Sequence, residues 1–448
     1  MNSGLILLPY ICYDQRTIEG TIGMHRNLTV QMLVAALLGI FLAKLFGTSE
    51  WLVSPPVAYD IITMVKVSFL AALKMLIAPM IFFSLLTGIS NIGSVLRLRQ
   101  LGTVTLLYYL LTTSLAVILG LAAVFWIHPW TDYPAVLESS LHFSTDRMID
   151  PGNSSLTLVL QQLFQLIFSN PFHALANLNI VGIVANAFLL GIAMVIILPE
   201  DSPVFTAVNH LNKVIMTVLS WIIRLLPIGI FAIIFDFTLK LGFNSEYAEG
   251  FLTQLFQFGV LVTCLTLVHG AIVLPLVAWS LTGLSPVTML ANIMQPLLVA
   301  FSTSSSSATL PVSMQTAEEK LKVDKSVSSF VLPLGATMNM DGTALFEAVA
   351  AIFLAYLYGI ELSTVMVITV FLMAMISSIG APGMPTASMS GMQIVLLSVG
   401  IPLEAIAILL VIERPLDTFR TAINVEGDLI GSVIVQQHLD RKTRLNRA

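Results

Sequence analysis

The chain has 448 residues, of which 57% are hydrophobic and 10% are charged. Several apolar runs approach the roughly 20 residues that cross the hydrocarbon core of a bilayer, so the composition predicts an all-α polytopic membrane protein. The 20 Lys and Arg side chains against 25 Asp and Glu side chains leave no basic surplus for binding a nucleic-acid backbone.

The first apolar runs lie at about residues 28–47, 61–93 and 103–127. Arg97 and Arg99 follow the second run in a short linker. The positive-inside rule then places the N-terminus and this linker in the cytoplasm. Because the C-terminal tail is also basic, we expect it on the same side, with an even number of crossings between the two termini.

The third run carries hydroxyl groups at a helical spacing. Tyr109, Thr112 and Thr113 fall at i, i+3 and i+4 and therefore share one face, although Tyr and Thr are also ordinary packing residues in membrane helices. A polar interval follows, up to about residue 156. It contains Asn153, which is a glycosylation acceptor only in a eukaryotic host.

Three more spans are expected before the pattern changes. They lie at about residues 157–198, with an interruption at 170–171, and at about 213–239 and 250–282. The last of them contains His269. No ligand-spaced partner is near this residue in the sequence, so we expect an interior histidine whose hydrogen bonds are satisfied.

From about residue 285 the apolar runs become short and polar tips interrupt them. Residues 287–314 consist of two apolar arms around a Ser/Thr-rich tip at 302–307, and residues 361–410 repeat the pattern around a Gly/Pro-rich tip at 377–385. We expect each arm to be too short to cross a bilayer. The pattern therefore predicts two re-entrant helical hairpins.

The predicted span between the hairpins, about residues 326–358, is itself interrupted by the polar sequence from Gly335 to Thr343. Paired discontinuous segments are the best sequence indication of a transporter's binding site at the middle of the membrane. We therefore expect a transporter core with inverted repeats in this half of the chain.

The last apolar segment carries one polar face. Charged side chains in a membrane segment face the protein interior or a water-filled path. A structural Asp/Arg pair between two helices would explain one ion pair, but this face extends over about three helical turns and exceeds what such a pair needs. At about 100° per residue, the face comprises Asp417, Arg420, Thr421, Asn424 and Asp428.

These segments offer ligands for an anion, a cation and an amine. Half-helix N-termini at the serine tip present N–H groups to a carboxylate, and the Arg420 guanidinium matches a second carboxylate. Asp341, Asp428 and unwound backbone carbonyls are hard ligands that suit Na⁺. Asp417 is left to receive an ammonium group, so the set describes an acidic amino acid bound together with alkali cations.

The same segments resemble the glutamate transporter family of sodium:dicarboxylate and amino acid symporters, and within it the excitatory amino acid transporter-like branch. The resemblance rests on the motifs KMLIAPMIFFSL, YYLLTT, SSSSATLPVSM, LPLGATMNMDGTALFEAVAAIF, SSIGAPGMP and LDTFRTAINVEGD. It implies eight transmembrane helices plus two re-entrant hairpins, a homotrimer, and Na⁺-coupled uptake of L-glutamate or L-aspartate by an elevator mechanism.

The resemblance also implies a division of the chain. Residues 1–100, with the first two spans, and residues 129–245, with the polar loop and spans four and five, would form a static scaffold that trimerises. Residues 101–128, which are span three, and residues 246–448, with span six, both hairpins, spans seven and eight and the basic tail, would form a mobile transport domain. The expected location is the plasma membrane, or the inner membrane of a bacterium, with both termini cytoplasmic.

By position in these motifs, the resemblance implies one substrate site and three sodium sites. The substrate residues would be Ser305, Ser306, Ser307, Thr343, Gly383, Asp417, Arg420, Thr421 and Asn424. The sodium ligands would be Gly335, Asn339, Asn424 and Asp428 in one site, Thr337, Ser378, Ile379 and Ala381 in a second, and Tyr109, Thr112, Thr113, Asn339 and Asp341 in a third. These sets predict Na⁺ as the cotransported ion.

One departure from the family concerns arginine. Family members usually carry an extra arginine beside the first hairpin's serines or directly after the amine-binding aspartate, where this chain has Ser304 and Thr418. Arg414 lies one turn before Thr418 on the same helical face, so we hypothesise that it supplies the missing guanidinium. The alternative is that Arg414 only pairs with Glu413.

A second group of residues concerns ion coupling and gating. Glu347 stands where the eukaryotic-like branch has a glutamate associated with H⁺ cotransport and K⁺ return. A neutral, hydrogen-bonded acid without a transport role is the alternative. Pro382 and Ser388 lie in the second hairpin at positions where relatives often have small residues, so both bear on the gate.

Other functions are weighed against this one. A neutral amino acid exchanger of the same fold is disfavoured by Arg420, and a C4-dicarboxylate carrier is disfavoured by Asp417, which suits an amine. An anion conductance accompanies transport in relatives. An intramembrane protease would need a catalytic serine or paired aspartates, and the absence of GxSxG and HExxH motifs argues against an enzyme.

Overall fold

The computed structural model describes residues 15–48, 50–90, 101–127, 161, 164–199, 201–241, 245–380, 383, 388–401 and 405–445. Within these residues all regular structure is helical. The glycosylation candidate Asn153, the linker residues Arg97 and Arg99, and the hairpin residues Ala381 and Pro382 lie outside the described residues.

The first half of the chain follows the predicted apolar runs, and the third run coincides with a helix. Asn170 caps the helix after the expected interruption, because its Oδ1 accepts a 2.9 Å hydrogen bond from the N–H of Phe172. The helices are α1 (Gln15–Phe46), α2 (Glu50–Val53), α3 (Val57–Ser90), α4 (Thr103–Ile127), α5 (Pro171–Ala176), α6 (Ile180–Ile197), α7 (Pro203–Arg224) and α8 (Leu226–Leu241).

The span expected at 213–239 is not one straight helix. The chain breaks at Leu225, and α7 and α8 meet there with a bend of 51°. Pro227 explains the break, because it has no N–H to donate to the carbonyl of Ile223 and its ring clashes with that carbonyl in a continuous helix. A proline is tolerated in the first turn of the helix that follows.

The second half contains both expected hairpins and the expected interruption between them. A π-helical turn at His269–Val273 joins the first two helices of this half. The helices are α9 (Ser245–Val268), α10 (Leu274–Thr282), α11 (Pro286–Thr303), α12 (Ser306–Glu319), α13 (Lys325–Met338), α14 (Asp341–Leu357), α15 (Thr364–Gly380), α16 (Ser388–Ser398) and α17 (Ile406–Leu445). Helix α17 thus begins inside the range that we assigned to the second hairpin.

Five helices of the described residues are long and apolar enough to cross a membrane, or six if α7 and α8 are one bent span. The chain is therefore a multi-pass membrane protein. One of the five is α11, whose 18 residues contradict our expectation that each hairpin arm is too short. The polar residues Ser302 and Thr303, which we assigned to the tip, form the last turn of this helix, and their hydroxyls both donate to the carbonyl of Val299.

The helices pack into two groups. In the first group, α1 packs on α8, and α3 packs on α6, α7 and α8. In the second, α4 packs on α14, and α17 contacts α9 to α14. The interrupted span α13–α14 is the centre of the second group, because 94% of its apolar window is buried, against 47% or less in the other candidate spans. The interruption itself therefore lies in the protein interior.

A buried charge cluster stabilises the packing of α3 on α8. Lys66 Nζ lies 2.7 Å from Asp236 Oδ2, and the Tyr59 hydroxyl donates a 2.5 Å hydrogen bond to Oδ1 of the same carboxylate. The two charged side chains are only 14% and 5% exposed. Removal of the lysine alone would leave a buried carboxylate without its cation.

Lys66→Met is therefore expected to destabilise the protein by about 3 kcal/mol. The loss is measured as a lower midpoint of thermal denaturation of the purified protein in detergent. The double variant Lys66→Met/Asp236→Asn should recover part of it, because no charge is then left unpaired. A single variant with an unchanged midpoint would show that this ion pair contributes nothing to stability.

Candidate functional site

The polar face of α17 lies inside the protein. The helix is continuous from Ile406 to Leu445, and the five polar residues of the face are each at most 6% exposed. Asp341 of α14 is fully buried nearby. The charged side chains of the predicted site therefore face the interior, as a membrane environment requires.

Arg420 is the largest fully buried side chain of the described residues. Its Nη2 donates to Glu413 Oε1 at 2.6 Å, to Asp417 Oδ1 at 3.1 Å and to Ser388 Oγ at 3.1 Å. The ring of Phe346 covers one face of the guanidinium, with its centroid 4.0 Å from Cζ. Nε and Nη1 have no hydrogen-bond partner among the described residues, so this buried cation has unused donors.

Arg414 is the second arginine of this region and is also buried. Its Nη1 lies 3.7 Å from Asp417 Oδ2, whereas Glu413 pairs with Arg420. The alternative pairing that we considered, Arg414 with Glu413, is thus not the arrangement observed. Asp417 lies between two guanidinium groups, and the two arginines and two carboxylates balance in formal charge.

The tips of the two hairpins meet. Ser304 adopts a left-handed conformation, with a φ of 51°, which turns the chain from α11 into α12. Ser305 Oγ accepts a hydrogen bond from the N–H of Ala308 at 3.1 Å and donates one to the Gly383 carbonyl at 2.8 Å. The Ser307 N–H donates to the same carbonyl at 2.9 Å. A Cβ on Gly383 would lie 2.7 Å from Ser307 Oγ, so glycine permits the close approach.

Asn424 joins α17 to the beginning of α14. Its Oδ1 accepts a 2.9 Å hydrogen bond from the N–H of Gly342, and its Nδ2 donates to Thr343 Oγ1 at 3.3 Å. Thr421, one turn earlier on α17, is 5% exposed, and Ser306 at the start of α12 is 4% exposed. The structure therefore buries the proposed substrate residues of α14 and α17 and Ser306 of α12, whereas Ser307 of α12 is exposed.

Two of the three proposed cation sets meet at the break between α13 and α14. Asn339 Nδ2 donates to Asp428 Oδ1 at 3.0 Å, and Thr113 Oγ1 donates to Asp341 Oδ1 at 2.7 Å. A Cβ on Gly335 would collide with the Asp428 carboxylate and would lie 2.6 Å from the hydroxyl oxygen of Tyr109, which also belongs to one of the sets. The site thus brings together oxygen ligands from α4, α13, α14 and α17.

The remaining proposed cation ligands are held differently. The hydroxyls of Thr112, Thr337 and Ser378 donate to carbonyls of their own helices. A cavity of about 130 Å³ between α4, α6, α13 and α15 is lined by Ser378 and Ile379, and also by Tyr109 and Thr113. The second set is therefore adjacent to the third, although its described members Thr337, Ser378 and Ile379 do not hydrogen-bond to one another.

Two ionisable residues that the sequence analysis did not assign to a site lie beside Asp341. His269 Nε2 is 3.2 Å from Asp341 Oδ2, and Nδ1 has no partner among the described residues, so the histidine is interior but not fully satisfied. Glu426 is 1% exposed and faces Gly270, where a Cβ would lie 3.0 Å from its Oε2. In the sequence, the only indication of a functional role for these two residues was an ionisable side chain within an apolar segment. Their contacts could not be predicted from residue spacing, because the partners are far apart in the sequence.

Glu347 is fully buried on α14. No hydrogen bond within the usual limits of distance and angle joins either carboxyl oxygen of Glu347 to a described residue. The hydroxyl of Ser377 also has no such hydrogen bond. A Cβ on Gly391 would collide with both side chains. An acid in this position touches the second hairpin directly, so its state bears on how α15 and α16 pack against α14.

The arrangement of paired hairpins and an interrupted span around buried charges agrees with comparisons between this sequence and known proteins. A sequence model of the sodium:dicarboxylate symporter family matches residues 28–438. The chain belongs to this family. The resemblance inferred from the motifs is thereby confirmed.

Individual members of the sodium:dicarboxylate symporter family align over most of the chain. Neutral amino acid transporter B(0) of Rattus norvegicus is 33% identical over 414 residues, which are 83% of this chain and 73% of the relative. Excitatory amino acid transporter 2 of Homo sapiens is 31% identical over 461 residues, 92% of this chain and 79% of the relative. An excitatory amino acid transporter of Caenorhabditis elegans is 32% identical over 413 residues, 83% of this chain and 81% of the relative.

Membership in the symporter family establishes a sodium-dependent amino acid transporter rather than an enzyme. The donor set at the α13–α14 break fits the family's ion, because Na⁺ prefers oxygen ligands and the site supplies carboxylate, amide and hydroxyl oxygens. Asn339 Oδ1 is buried without a hydrogen-bond partner among the described residues. This unpartnered amide oxygen, on a residue that contacts Asp428, is therefore available as a ligand for the cation.

Proposed function

We propose that this symporter takes up acidic amino acids, L-glutamate or L-aspartate, together with Na⁺. The observation that carries the proposal is the Arg420 guanidinium, which is fully buried and has two nitrogens without a hydrogen-bond partner among the described residues. A carboxylate satisfies such donors with charge-assisted, bidentate hydrogen bonds, whereas an uncharged side chain does not neutralise the guanidinium.

Under this proposal the substrate is held at three charged points. The α-carboxylate lies at the N-terminal end of α12, where the positive end of the helix dipole and the hydroxyls of Ser305 to Ser307 favour an anion. The ammonium group binds Asp417, and the side-chain carboxylate binds Arg420. Thr343, Thr421, Asn424 and Gly383 line the remaining sides.

Sodium ions would bind at the three proposed sets around the α13–α14 break and the second hairpin. The substrate adds one negative charge to a site that is already balanced, and the cations compensate for it and for Asp341 and Asp428. Each positive charge moved inward gains about 2.3 kcal/mol per 100 mV of membrane potential. The same ions therefore neutralise the charge of the bound substrate and drive its uptake.

We further propose the homotrimeric elevator architecture of eight transmembrane helices and two hairpins. The packing supports it, since the helices within 1–100 and 129–245 form one group, and α4 packs with the helices after residue 245. The first group would be the static scaffold, and the second would move across a plasma or bacterial inner membrane with both termini cytoplasmic.

The test is uptake of radiolabelled aspartate and glutamate into proteoliposomes, with Na⁺, K⁺ and pH gradients imposed separately. We expect uptake driven by a Na⁺ gradient, competed strongly by the other acidic amino acid and only weakly by serine or alanine. Competition by an amine-free C4-dicarboxylate would identify a dicarboxylate carrier. Current without substrate flux would identify an anion conductance.

A neutral amino acid exchanger is the second candidate, and the similarity to neutral amino acid transporter B(0) favours it. Arg420 is the feature that separates the two candidates, because an uncharged side chain supplies no negative charge to pair with a buried guanidinium. Strong competition by serine or alanine in the uptake assay would establish the neutral exchanger and overturn acidic selectivity.

Arg414 is proposed as the accessory arginine of the substrate site. Arg414→Ala removes one of the two cations beside Asp417, and we expect the KM for aspartate to rise about tenfold, which corresponds to about 1.4 kcal/mol. Arg414→Lys keeps the charge and should show a smaller increase. A KM and a Na⁺ dependence that both stay at the wild-type values would show that Arg414 has only a structural role.

Glu347 is proposed as the group that couples H⁺ and K⁺ to transport. Its buried carboxyl group has no hydrogen bond of ordinary geometry with a described residue, and such an acid is suited to carry a proton across the membrane. We expect Glu347→Gln to exchange internal for external aspartate at the normal rate but to lose net uptake driven by internal K⁺. Wild-type uptake that ignores both internal K⁺ and pH would rule out this role.

A further inference from the structure

Two of the hydrogen-bonded contacts of the second hairpin lie beside the proposed substrate residues. Its tip residue Gly383 accepts hydrogen bonds from the first hairpin, as described above. The second contact is made by Ser388, the first residue of α16, which is 4% exposed. Its hydroxyl donates to Glu413 Oε1 at 2.6 Å and accepts from Arg420 Nη2 at 3.1 Å. One hydroxyl group thus links the hairpin to a buried ion pair of α17.

We propose that Ser388 is a positioning residue that fixes the Arg420 guanidinium for an acidic substrate. The inference rests on the proposed function and adds a residue that determines substrate selectivity.

The hydrogen bonds of the guanidinium show how Ser388 acts. Nη2 donates to Glu413, Asp417 and Ser388, so its hydrogen-bonding capacity is used within the protein. The unused donors are on Nε and Nη1, and a substrate carboxylate must approach them. Because Phe346 fixes one face of the group and Ser388 fixes one edge, the unused donors have a defined direction before substrate arrives.

Removal of the hydroxyl has different consequences for different substrates. Arg420 would lose one acceptor and Glu413 would lose its donor from the hairpin, so the guanidinium could rotate out of the plane that suits a carboxylate. An acidic substrate would then bind a less preorganised group. A neutral amino acid, which does not use the guanidinium, would be affected little.

The experiment compares Ser388→Ala with a matched control in the same helix. Ser398 is equally buried on α16, and its hydroxyl donates only to the carbonyl of Val395. In Ser388→Ala proteoliposomes we expect the KM for aspartate to rise about tenfold with little change in kcat, and inhibition by serine to change less than about twofold. Ser388→Thr restores the hydroxyl and should return the KM to near wild type, and Ser398→Ala should not change it.

Several outcomes overturn the inference. Equal shifts for aspartate and serine in Ser388→Ala would show a general effect on closure, and an unchanged aspartate KM would show no role at all. Failure of Ser388→Thr to restore the KM would show that packing and not the hydroxyl is responsible. If Ser388→Ala does not fold, Ser388→Gly replaces it with the same expected result. Absence of aspartate uptake by the wild-type protein would instead overturn the proposed function, and this inference with it.

Discussion

Arg420→Lys is expected to lower kcat/KM for aspartate by at least about 100-fold, which corresponds to about 2.7 kcal/mol. Lysine keeps one positive charge for the carboxylates of Glu413 and Asp417 but has no planar fork, and it cannot present donors in the direction of Nε and Nη1. The loss should appear in competition by acidic amino acids and not in competition by serine. Uptake assays in proteoliposomes at saturating Na⁺ measure it.

The control for Arg420 addresses folding, because loss of the guanidinium leaves buried carboxylates unpaired. The double variant Arg420→Met/Glu413→Gln removes both members of the 2.6 Å ion pair and should fold with near wild-type thermal stability. We expect it to lose acidic uptake while serine becomes the better competitor. A double variant that still prefers aspartate would show that acidic selectivity resides elsewhere.

Asp428→Asn is expected to raise the Na⁺ concentration for half-maximal uptake by at least about tenfold, or to abolish Na⁺-driven uptake. The substitution preserves the shape of the side chain but removes a charge from an almost fully buried group that contacts Asn339. A cation held by carboxylate, amide and carbonyl oxygens loses most of its electrostatic stabilisation when the carboxylate becomes an amide. Titration of uptake with Na⁺ measures the change.

A matched control for Asp428 lies on the same helix. Asp440→Asn is the same substitution at an exposed position near the end of α17, and it should leave Na⁺ dependence unchanged. A second readout is thermal stabilisation by NaCl relative to choline chloride, which should decrease in Asp428→Asn even where uptake cannot be measured. Normal Na⁺ dependence in both measurements would remove Asp428 from the cation site.

The elements that were predicted well are those in which a local pattern decides the structure. The run at 103–127 coincides with α4, and the sequence between Gly335 and Thr343 contains the break between α13 and α14. A spacing of 3.6 residues and a run of apolar side chains act over a few residues, so they can be read without the fold. The bend at Leu225 was missed, although Pro227 was visible, because a proline can be accommodated within a membrane span.

The pairing of charges required the fold. Both Glu413 and Arg414 were candidates for an ion pair with each other, yet Glu413 pairs with Arg420 and with Ser388 of another helix. His269 meets Asp341 across 72 positions of the sequence. Such contacts depend on the rotation of one helix against another, which is set by side-chain packing over the whole interface.

The sequence by itself determined that this protein is a helical membrane transporter, that two hairpins flank an interrupted span, and that Arg420, Asp341 and Asp428 must avoid lipid. These conclusions follow from hydropathy and from the free energy of placing a charge in hydrocarbon, both of which are properties of short segments. Only the tertiary structure decided which donors of Arg420 are unused, that Ser388 connects the second hairpin to it, and that Asn339 lies against Asp428. The physical reason is that a hydrogen bond forms only when donor and acceptor lie about 3 Å apart. The packing of all the helices together places the side chains with that precision.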